Sequence, residues 1–335
     1  MVSPKLGIIM LTYNSVSKLG KLFNKILEGL LHIDYEDVHI IIADNASNDN
    51  TFNYIRKFLA NHPCKHTITV LRLKRNYGWA GGNNRAAILF KDTDYLLFLN
   101  DDLMLKPDVS RKLVEAMEQN PDIGAIQPVI INFNGTYNLG YYLSLGLMPC
   151  PITAYNVPTH RQRNGLLEVA YAMGAALMTR TELFFRLGMF DEGYFYWFDD
   201  VDYSLRVWAA GYRVACVLDC FVYHVGSATL GKTNPLLQYY FSRNLLLLLT
   251  KLPLAVIFNV LPFAIIEWIF NTLLHYLKVS DMISLAYSLL GIKHYLKTLS
   301  DLVGNTRKIP LTRRLLRNIT SPYITAKNIK LTTRK

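Results

Sequence analysis

The chain has 335 residues, just over half of them hydrophobic, and a formal charge of +11 at neutral pH. That length is enough for a sizeable core in one large domain or two. The four cysteines, at 64, 150, 216 and 220, show no Cys-x-x-Cys spacing, and the pair at 216 and 220 has no histidines nearby at zinc-finger distance. This argues against a disulfide framework and for a reducing compartment. The basic balance asks for an anionic partner: a nucleotide, a nucleic acid or an acidic membrane face.

The N-terminus runs straight into a strand-like stretch, so no secretory signal peptide is expected. Residues 6–11 form an apolar run that ends in Thr12-Tyr13-Asn14-Ser15, and an amphipathic helix is predicted over 16–31. A second strand at 38–43 ends in Asp44-Asn45-Ala46-Ser47, and a helix follows at 51–61. A third strand at 67–73 leads into Arg75-Asn76-Tyr77-Gly78-Trp79-Ala80-Gly81-Gly82-Asn83-Asn84-Arg85. A fourth, at 95–99, ends in Asn100-Asp101-Asp102. Strand and helix alternating in this way predict a mostly parallel sheet covered on both faces, with the polar patches gathered along one edge.

Carboxylates at the end of a buried strand are costly to desolvate, and ligands of open α/β sheets sit just outside strand carboxyl ends. Asp101 and Asp102 are therefore candidates to meet a divalent cation or a ligand hydroxyl, although an Asx-turn or a helix cap explains such a pair equally well. The glycine-rich stretch fits neither Gly-x-Gly-x-x-Gly nor a Walker motif. Its glycines either let backbone approach a ligand, with Arg75 and Arg85 near for negative charge, or simply form a turn before a helix.

A helix is predicted at 107–120 and a strand at 123–131, followed by an irregular segment over 132–168 of the kind that forms binding loops. A small-residue strand at 171–180 carries Met173-Gly174-Ala175-Ala176. Four aromatics, Tyr194 to Trp197 with Phe198 after them, then lead into Asp199, Asp200 and Asp202. Aromatic faces stack on sugars and bases, and neighbouring carboxylates can take protons from hydroxyls. Asp199 also reads as a helix N-cap. A strand at 214–222 precedes His224, which is either structural or a metal ligand.

Between Lys251 and Lys278 the one formally charged residue is Glu267, while Pro253, Pro262, Asn259 and Asn271 interrupt the apolar run. A spanning helix over 252–274 is arguable; helices lying in the interface, anchored by Trp268 and Tyr276, are the preferred reading. No acidic residue follows Asp301, whereas Arg307, Lys308, Arg313, Arg314, Arg317, Lys327, Lys330, Arg334 and Lys335 are basic. Such a tail suits an anionic membrane surface. Nucleic acid is the competing partner, and no nucleic-acid-binding motif supports it.

The ordered set Leu11-Thr12-Tyr13-Asn14, Ala43-Asp44-Asn45-Ala46-Ser47, residues 75–84, Leu99 to Asp102, Met173 to Ala176 and Asp199 to Tyr203 resembles glycosyltransferase family 2. The nearest subgroup is the rhamnosyltransferase-like enzymes of cell-surface polysaccharide and cell-wall assembly, and the resemblance covers residues 5–250. It implies a GT-A fold, an α/β Rossmann-like sheet. The GT-A domain would occupy 1–245, with a nucleotide-sugar half at 1–105 and an acceptor half at 106–245. A helical, membrane-associating region with a basic tail would fill 246–335. The resemblance further implies a dTDP-, UDP- or GDP-linked sugar donor, Mg²⁺ or Mn²⁺, and inversion at the anomeric carbon. The acceptor would be a hydroxyl of a glycan or lipid-linked glycan at the cytoplasmic face of the membrane, by a peripheral or monotopic enzyme; a homo-oligomer is compatible with it.

Carried over by residue, Thr12, Tyr13, Asn14, Asp44, Asn45, Arg75, Asn76, Gly78, Asn84, Asn100 and Asp101 would bind the donor. Asp102 and His224 would hold the metal, with Asn100 standing at the first position of the family's Asp-x-Asp. Asp200 would be the catalytic base. Gly174, Trp197 and Asp199 would meet the acceptor, Asp199 standing where a Glu is more usual. Tyr239, Tyr240, Arg243 and Asn244 match the subgroup too. The rivals are a polyprenyl-phosphate sugar synthase, which needs no base; a non-catalytic subunit of a membrane glycan complex; and a nucleotidyltransferase, which would lack the aromatic-acidic stretch.

Overall fold

β1 (Leu6–Thr12) is buried at every position, as a strand covered on both faces must be. Ile8 and Met10 face one hydrophobic layer and Ile9 and Leu11 the other. Each such side chain adds about 1.5–3 kcal/mol when fully buried. A computed structural model describes residues 3–158, 161–225, 234–279, 282–298, 308–310, 312 and 326–327.

After β1 come α1 (Ser15–Leu19) and α2 (Leu22–Leu31). The single helix expected over 16–31 is two, because Gly20 takes φ 53° and breaks it. Then follow β2 (Val38–Asp44), α3 (Thr51–Asn61), β3 (Thr67–Arg72), α4 (Gly78–Ala87), β4 (Tyr95–Asn100), β5 (Leu103–Leu105), α5 (Val109–Gln119) and β6 (Ile123–Asn132). The 132–168 segment is not irregular. It holds β7 (Tyr137–Asn138), β8 (Tyr141–Leu143), β9 (Pro149–Pro151), β10 (Val157–Pro158), β11 (Gln162–Arg163) and β12 (Leu166–Glu168). Strands of two or three residues, two of them containing proline, leave no period to read, yet Leu139, Leu143, Leu147, Ile152 and Val157 are all buried in the core. The chain continues through β13 (Ala176–Arg180), α6 (Thr181–Arg186), α7 (Asp199–Ala209), β14 (Arg213–His224), α8 (Leu236–Lys251), α9 (Leu254–Val279), α10 (Met282–Lys297) and β15 (Ala326–Lys327).

The main sheet runs β11-β12-β14-β6-β13-β4-β1-β2-β3, with β5 and β7 paired to β14 and β6. The long strands are parallel except β13, which inserts antiparallel between β4 and β6. Thr12 lies opposite Asp44, Leu11 opposite Asn100, and His224 opposite both Asn132 and Leu103. One edge of the sheet therefore collects the ends of β1, β2, β4, β6 and β14 with the start of β13. Helices α2, α3 and α5 cover one face; α4, α7 and α8 cover the other.

The boundary expected at 245/246 falls inside α8, whose buried face belongs to the second of these layers. α9 docks one stripe, Val256, Val260, Ala264 and Thr272, and leaves Phe258, Ile266 and Phe270 exposed. α10 packs on α8 through a Ser242–Ser288 hydroxyl pair 2.6 Å apart. Of the basic tail, Lys308 and Lys327 fall within the described residues and the rest lies outside them.

Candidate active site

The loops after β1 and β2 are laced together. Asn14 takes a left-handed backbone, φ 53°. Its N–H donates to Ser47 Oγ at 2.9 Å, and its Oδ1 accepts from the Asn48 N–H at 2.8 Å. Thr12 is fully buried; its hydroxyl donates to the Ala43 carbonyl at 3.4 Å. Asp44 is also fully buried. It accepts from the Ser47 N–H at 3.2 Å and from the Ser47 hydroxyl, with Arg72 Nε at 3.8 Å.

Asn45 ties the end of β2 to the glycine-rich turn. It donates to Asn76 Oδ1 and the Gly78 carbonyl, and accepts from the Tyr77 N–H, each at 3.0 Å. Gly78 has φ +71°, and a Cβ there would lie 2.3 Å from the Phe195 carbonyl oxygen. No other residue fits. The Arg75 guanidinium sits 4.9 Å and that of Arg85 3.6 Å from the Tyr77 ring centre. Asn84 does not face this turn: its amide donates to the Phe190 carbonyl at 3.0 Å and Glu192 at 3.3 Å, and accepts from the Phe190 N–H at 3.1 Å. A buried amide so engaged braces the 190 loop.

The acidic centre follows β4. Asn100 Oδ1 accepts from the Trp79 indole at 2.8 Å. Asp101 accepts from the Tyr13 N–H at 3.3 Å and from the Ser15 hydroxyl, bracing the first loop. Burial, with the charge of Asp102, lifts its carboxyl to about 6. Asp102 differs: its Oδ1 is buried and accepts no hydrogen bond among the described residues. His224 Nε2 stands 3.2 Å from that oxygen, and Asn132 Oδ1 lies 3.3 Å from His224 Nδ1.

An orphaned carboxylate oxygen beside an imidazole nitrogen fits a divalent cation, which would satisfy it. Among the described residues there is no group of three His, Cys, Asp or Glu able to hold a metal. The protein would thus give one or two ligands, leaving the remainder to phosphate oxygens and water. Lys18, which the sequence reading missed, hydrogen-bonds the Tyr13 carbonyl. Burial lowers its pKa against the opposing pull of Asp101, Asp102 and Asp49.

The opposite wall is an aromatic turn. Phe195, Trp197 and Phe198 all have φ between 63° and 69°, a conformation costing bulky residues of order 1–3 kcal/mol each. Asn244 of α8 holds it, its Nδ2 directed at the carbonyls of Tyr194 (3.1 Å), Tyr196 (2.7 Å) and Trp197 (3.0 Å). The Trp79 N–H adds a bond to the Phe195 carbonyl at 2.8 Å.

The turn delivers α7 with its acids first. Asp200 Oδ2 accepts from the Gly174 N–H at 2.9 Å and Oδ1 from the Val201 N–H at 2.8 Å. Burial raises its carboxyl to about 6, against the pull of those N–H donors. Asp199 is more deeply buried. Its Oδ1 accepts from the Asp200 N–H at 3.1 Å and its Oδ2 has no partner among the described residues. Burial, then the Asp200 charge, hold Asp199 well above the carboxylate range.

The two acidic groups share one edge. The Asn100 N–H donates to the Ala175 carbonyl at 2.9 Å, next to the Gly174 that binds Asp200. The Tyr196 phenol, raised to about 12 by burial, also feels the charges of Asp199 and Asp102. Trp197 is exposed, its ring stacked on Tyr196.

Beneath α7 lies a network that sequence reading did not find. Asp202 accepts from Arg206 Nε (2.8 Å) and Nη2 (2.6 Å) and from Lys251 Nζ (2.7 Å); Lys251 also pairs with Asp191. Lys251 is fully buried. In the sequence it looked like the edge of an apolar run, and nothing local pointed to partners 49 and 60 residues away.

Residues 7–187 match the sequence profile described as Glycosyl transferase family 2. An N-acetylglucosaminyl-diphospho-decaprenol L-rhamnosyltransferase of Mycobacterium tuberculosis is 24% identical over 253 residues, 68% of this chain and 78% of its own. The rhamnosyltransferase WbbL of Escherichia coli is 26% identical over 57% of this chain and 73% of its own. The chain spans 61% of the length of another relative, a low-salt glycan biosynthesis hexosyltransferase of Haloferax volcanii, at 24% identity. In fold it is similar to a mannosyltransferase from Pyrobaculum calidifontis in complex with GDP-Man and Mn²⁺ (TM-score 0.54, 17% identity, 89% of this chain and 76% of that one). It is likewise similar to S. aureus TarS with UDP-GlcNAc (TM-score 0.55, 15% identity, 91% and 82%). These neighbours share the GT-A-like arrangement of a mixed, mostly parallel sheet flanked by helices.

Proposed function

The chain belongs to glycosyltransferase family 2, and from that premise we propose that it moves a sugar, rhamnose first among the candidates, from a nucleoside diphosphate to a hydroxyl of a lipid-linked glycan, with inversion. The observation that carries this reading is the pairing, at one sheet edge, of the orphaned Asp102 oxygen with the Asp199–Asp200 pair.

Thr12, Tyr13, Asn14 and Asp44 line the base and ribose. The turn fixed by Asn45, Asn76 and Gly78, with Arg75 and Lys18, meets the diphosphate. Asp102 and His224 would hold Mg²⁺ or Mn²⁺, and the ion when bound offsets the negative charge that grows on the departing diphosphate. Two neighbours in fold were solved with Mn²⁺. Asp200 Oδ takes the proton of the acceptor hydroxyl as that oxygen attacks the anomeric carbon from the face opposite the diphosphate. The Gly174 and Val201 N–H groups keep Asp200 ionised and aimed. Trp197 and Phe195 offer ring faces to the acceptor sugar. A polyprenyl-phosphate sugar synthase would need no base, and so leaves the Asp200 arrangement without a task.

Membrane attachment is part of the reading. Val256–Leu274 is long and apolar enough to cross a bilayer. Yet Glu267, near its centre, hydrogen-bonds Ser144 of the β8–β9 loop, and Trp268 donates to Ser242 at 2.8 Å. A crossing helix would carry that polar loop into hydrocarbon. α9 therefore lies in the plane of the cytoplasmic face with Phe258, Ile266 and Phe270 in the lipid.

The test is a thermal-shift panel of UDP-, dTDP- and GDP-sugars with Mn²⁺. One nucleotide should stabilise the protein by about 2.7 kcal/mol at a hundred times its Kd. Asp102→Ala should abolish that shift; an EDTA-insensitive shift in the variant would remove the metal assignment.

A further inference from the structure

A cavity of about 570 Å³ lies off the active site, between α8 and α10. Two chemistries line it. Leu236, Tyr239, Tyr287 and Leu290 make an apolar wall, while Lys293, His294 and Lys297 stand together on one turn of α10. Neither lysine has a carboxylate within ion-pair distance among the described residues. Cations at a cavity wall with no carboxylate partner among the described residues favour an anion. The apolar side continues outward over the exposed Ile283, Leu289 and Leu296 of α10.

Inward, the wall leads to the acceptor side. The Tyr239 and Tyr240 rings are 5.1 Å apart, and Tyr240 stacks on Phe195 at 5.8 Å and 14°. Phe195 opens the turn that ends at Asp199 and Asp200. A row of rings thus runs from the basic cavity to the base, and sugars travel well over aromatic faces.

We propose that this cavity binds the diphosphate end of a polyprenyl lipid carrier, the phosphates on Lys293, His294 and Lys297 and the first isoprene units on Leu236, Tyr287 and Leu290. A free phosphate would leave the apolar wall without a task, and a bulk phospholipid would leave unused the row of rings that joins this groove to the aromatic turn. The proposal deepens the lipid-linked acceptor reading and rests on it.

The probe is farnesyl diphosphate, titrated calorimetrically into the full chain in detergent with EDTA, so that no metal at Asp102 can hold the diphosphate. Wild type should bind it at least tenfold more tightly than inorganic pyrophosphate or farnesol. The K293E/K297E double variant should weaken it at least tenfold, as should Leu290→Asp, while the melting temperature and the slow hydrolysis of the sugar donor stay unchanged. Equal binding by the double variant, by pyrophosphate or by farnesol would overturn the proposal, as would equal displacement by phosphatidylglycerol vesicles. Its failure is distinct from failure of the glycosyltransferase reading, which would show as no donor hydrolysis and no nucleotide-induced shift.

Discussion

The two sides of the proposed site, the loops after β1 to β4 and the aromatic turn before α7, are built on different principles. On the proposed donor side the loops brace one another: Asn14 and Ser47 tie the turns after β1 and β2 together, and Asn45 reaches the turn after β3. The acceptor wall is strained and held from a distance. The turn that carries three left-handed aromatics is held by Asn244, about fifty residues on, through the carbonyls of Tyr194, Tyr196 and Trp197, and α7 beneath it is pinned by Lys251. We therefore expect the proposed donor loops to tolerate single changes, whereas the aromatic turn depends on α8, which also packs into the core.

The largest effect should come from the acceptor wall. Asp200→Asn should cut kcat by about 10²–10⁴-fold and leave the nucleotide thermal shift unchanged; full activity in that variant ends the base assignment. Next is Lys251→Met. It leaves Asp191 without its ammonium and Asp202 with Arg206 alone, and breaking a buried charge network costs about 3–5 kcal/mol. Urea unfolding should show that loss. Were the protein to keep its midpoint, α8 would not be an integral part of the catalytic domain.

A matched pair divides the walls more finely. Asn45→Ala should raise the donor KM about tenfold with kcat little changed, and Asn244→Ala should lower kcat about tenfold with donor KM little changed, each near the net loss of one or two hydrogen bonds. Identical patterns from the two would erase the distinction.

The same contrast explains what the sequence disclosed. β1, β2, β4 and the polar residues at their ends were legible, because a buried strand needs an unbroken apolar run and its loop begins where that run stops. Asp102, His224 and Asp200 were singled out by motif order alone. The structure then put His224 beside Asp102 and Gly174 on Asp200. The bonds of Asn84 to Phe190 and Glu192 were not legible, because a motif position says nothing about which way an amide turns. Lys251 and Asp191 were invisible because a buried ion network couples residues through space with no period along the chain. The short strands of 137–168 were missed because two-residue pairings leave no alternation.

The smallest effect is the sharpest, since it asks how two adjacent acids divide their charge. Burial pushes both up, Asp199 well above the carboxylate range and Asp200 to about 6. Gly174 and Val201 donate to Asp200, which favours placing the pair's negative charge there rather than on Asp199. A base works only when ionised. kcat/KM should thus be level above pH 7 and fall about tenfold per unit as the pH drops below about 6. With the charge carried by Asp200, Asp199→Asn should leave that limb within about half a unit of its place, a shift of less than about 0.7 kcal/mol. If Asp199 were instead ionised beside Asp200, removing its charge would make Asp200 a stronger acid. The limb would then move down by a unit or more, and the roles of the two residues would have to be exchanged.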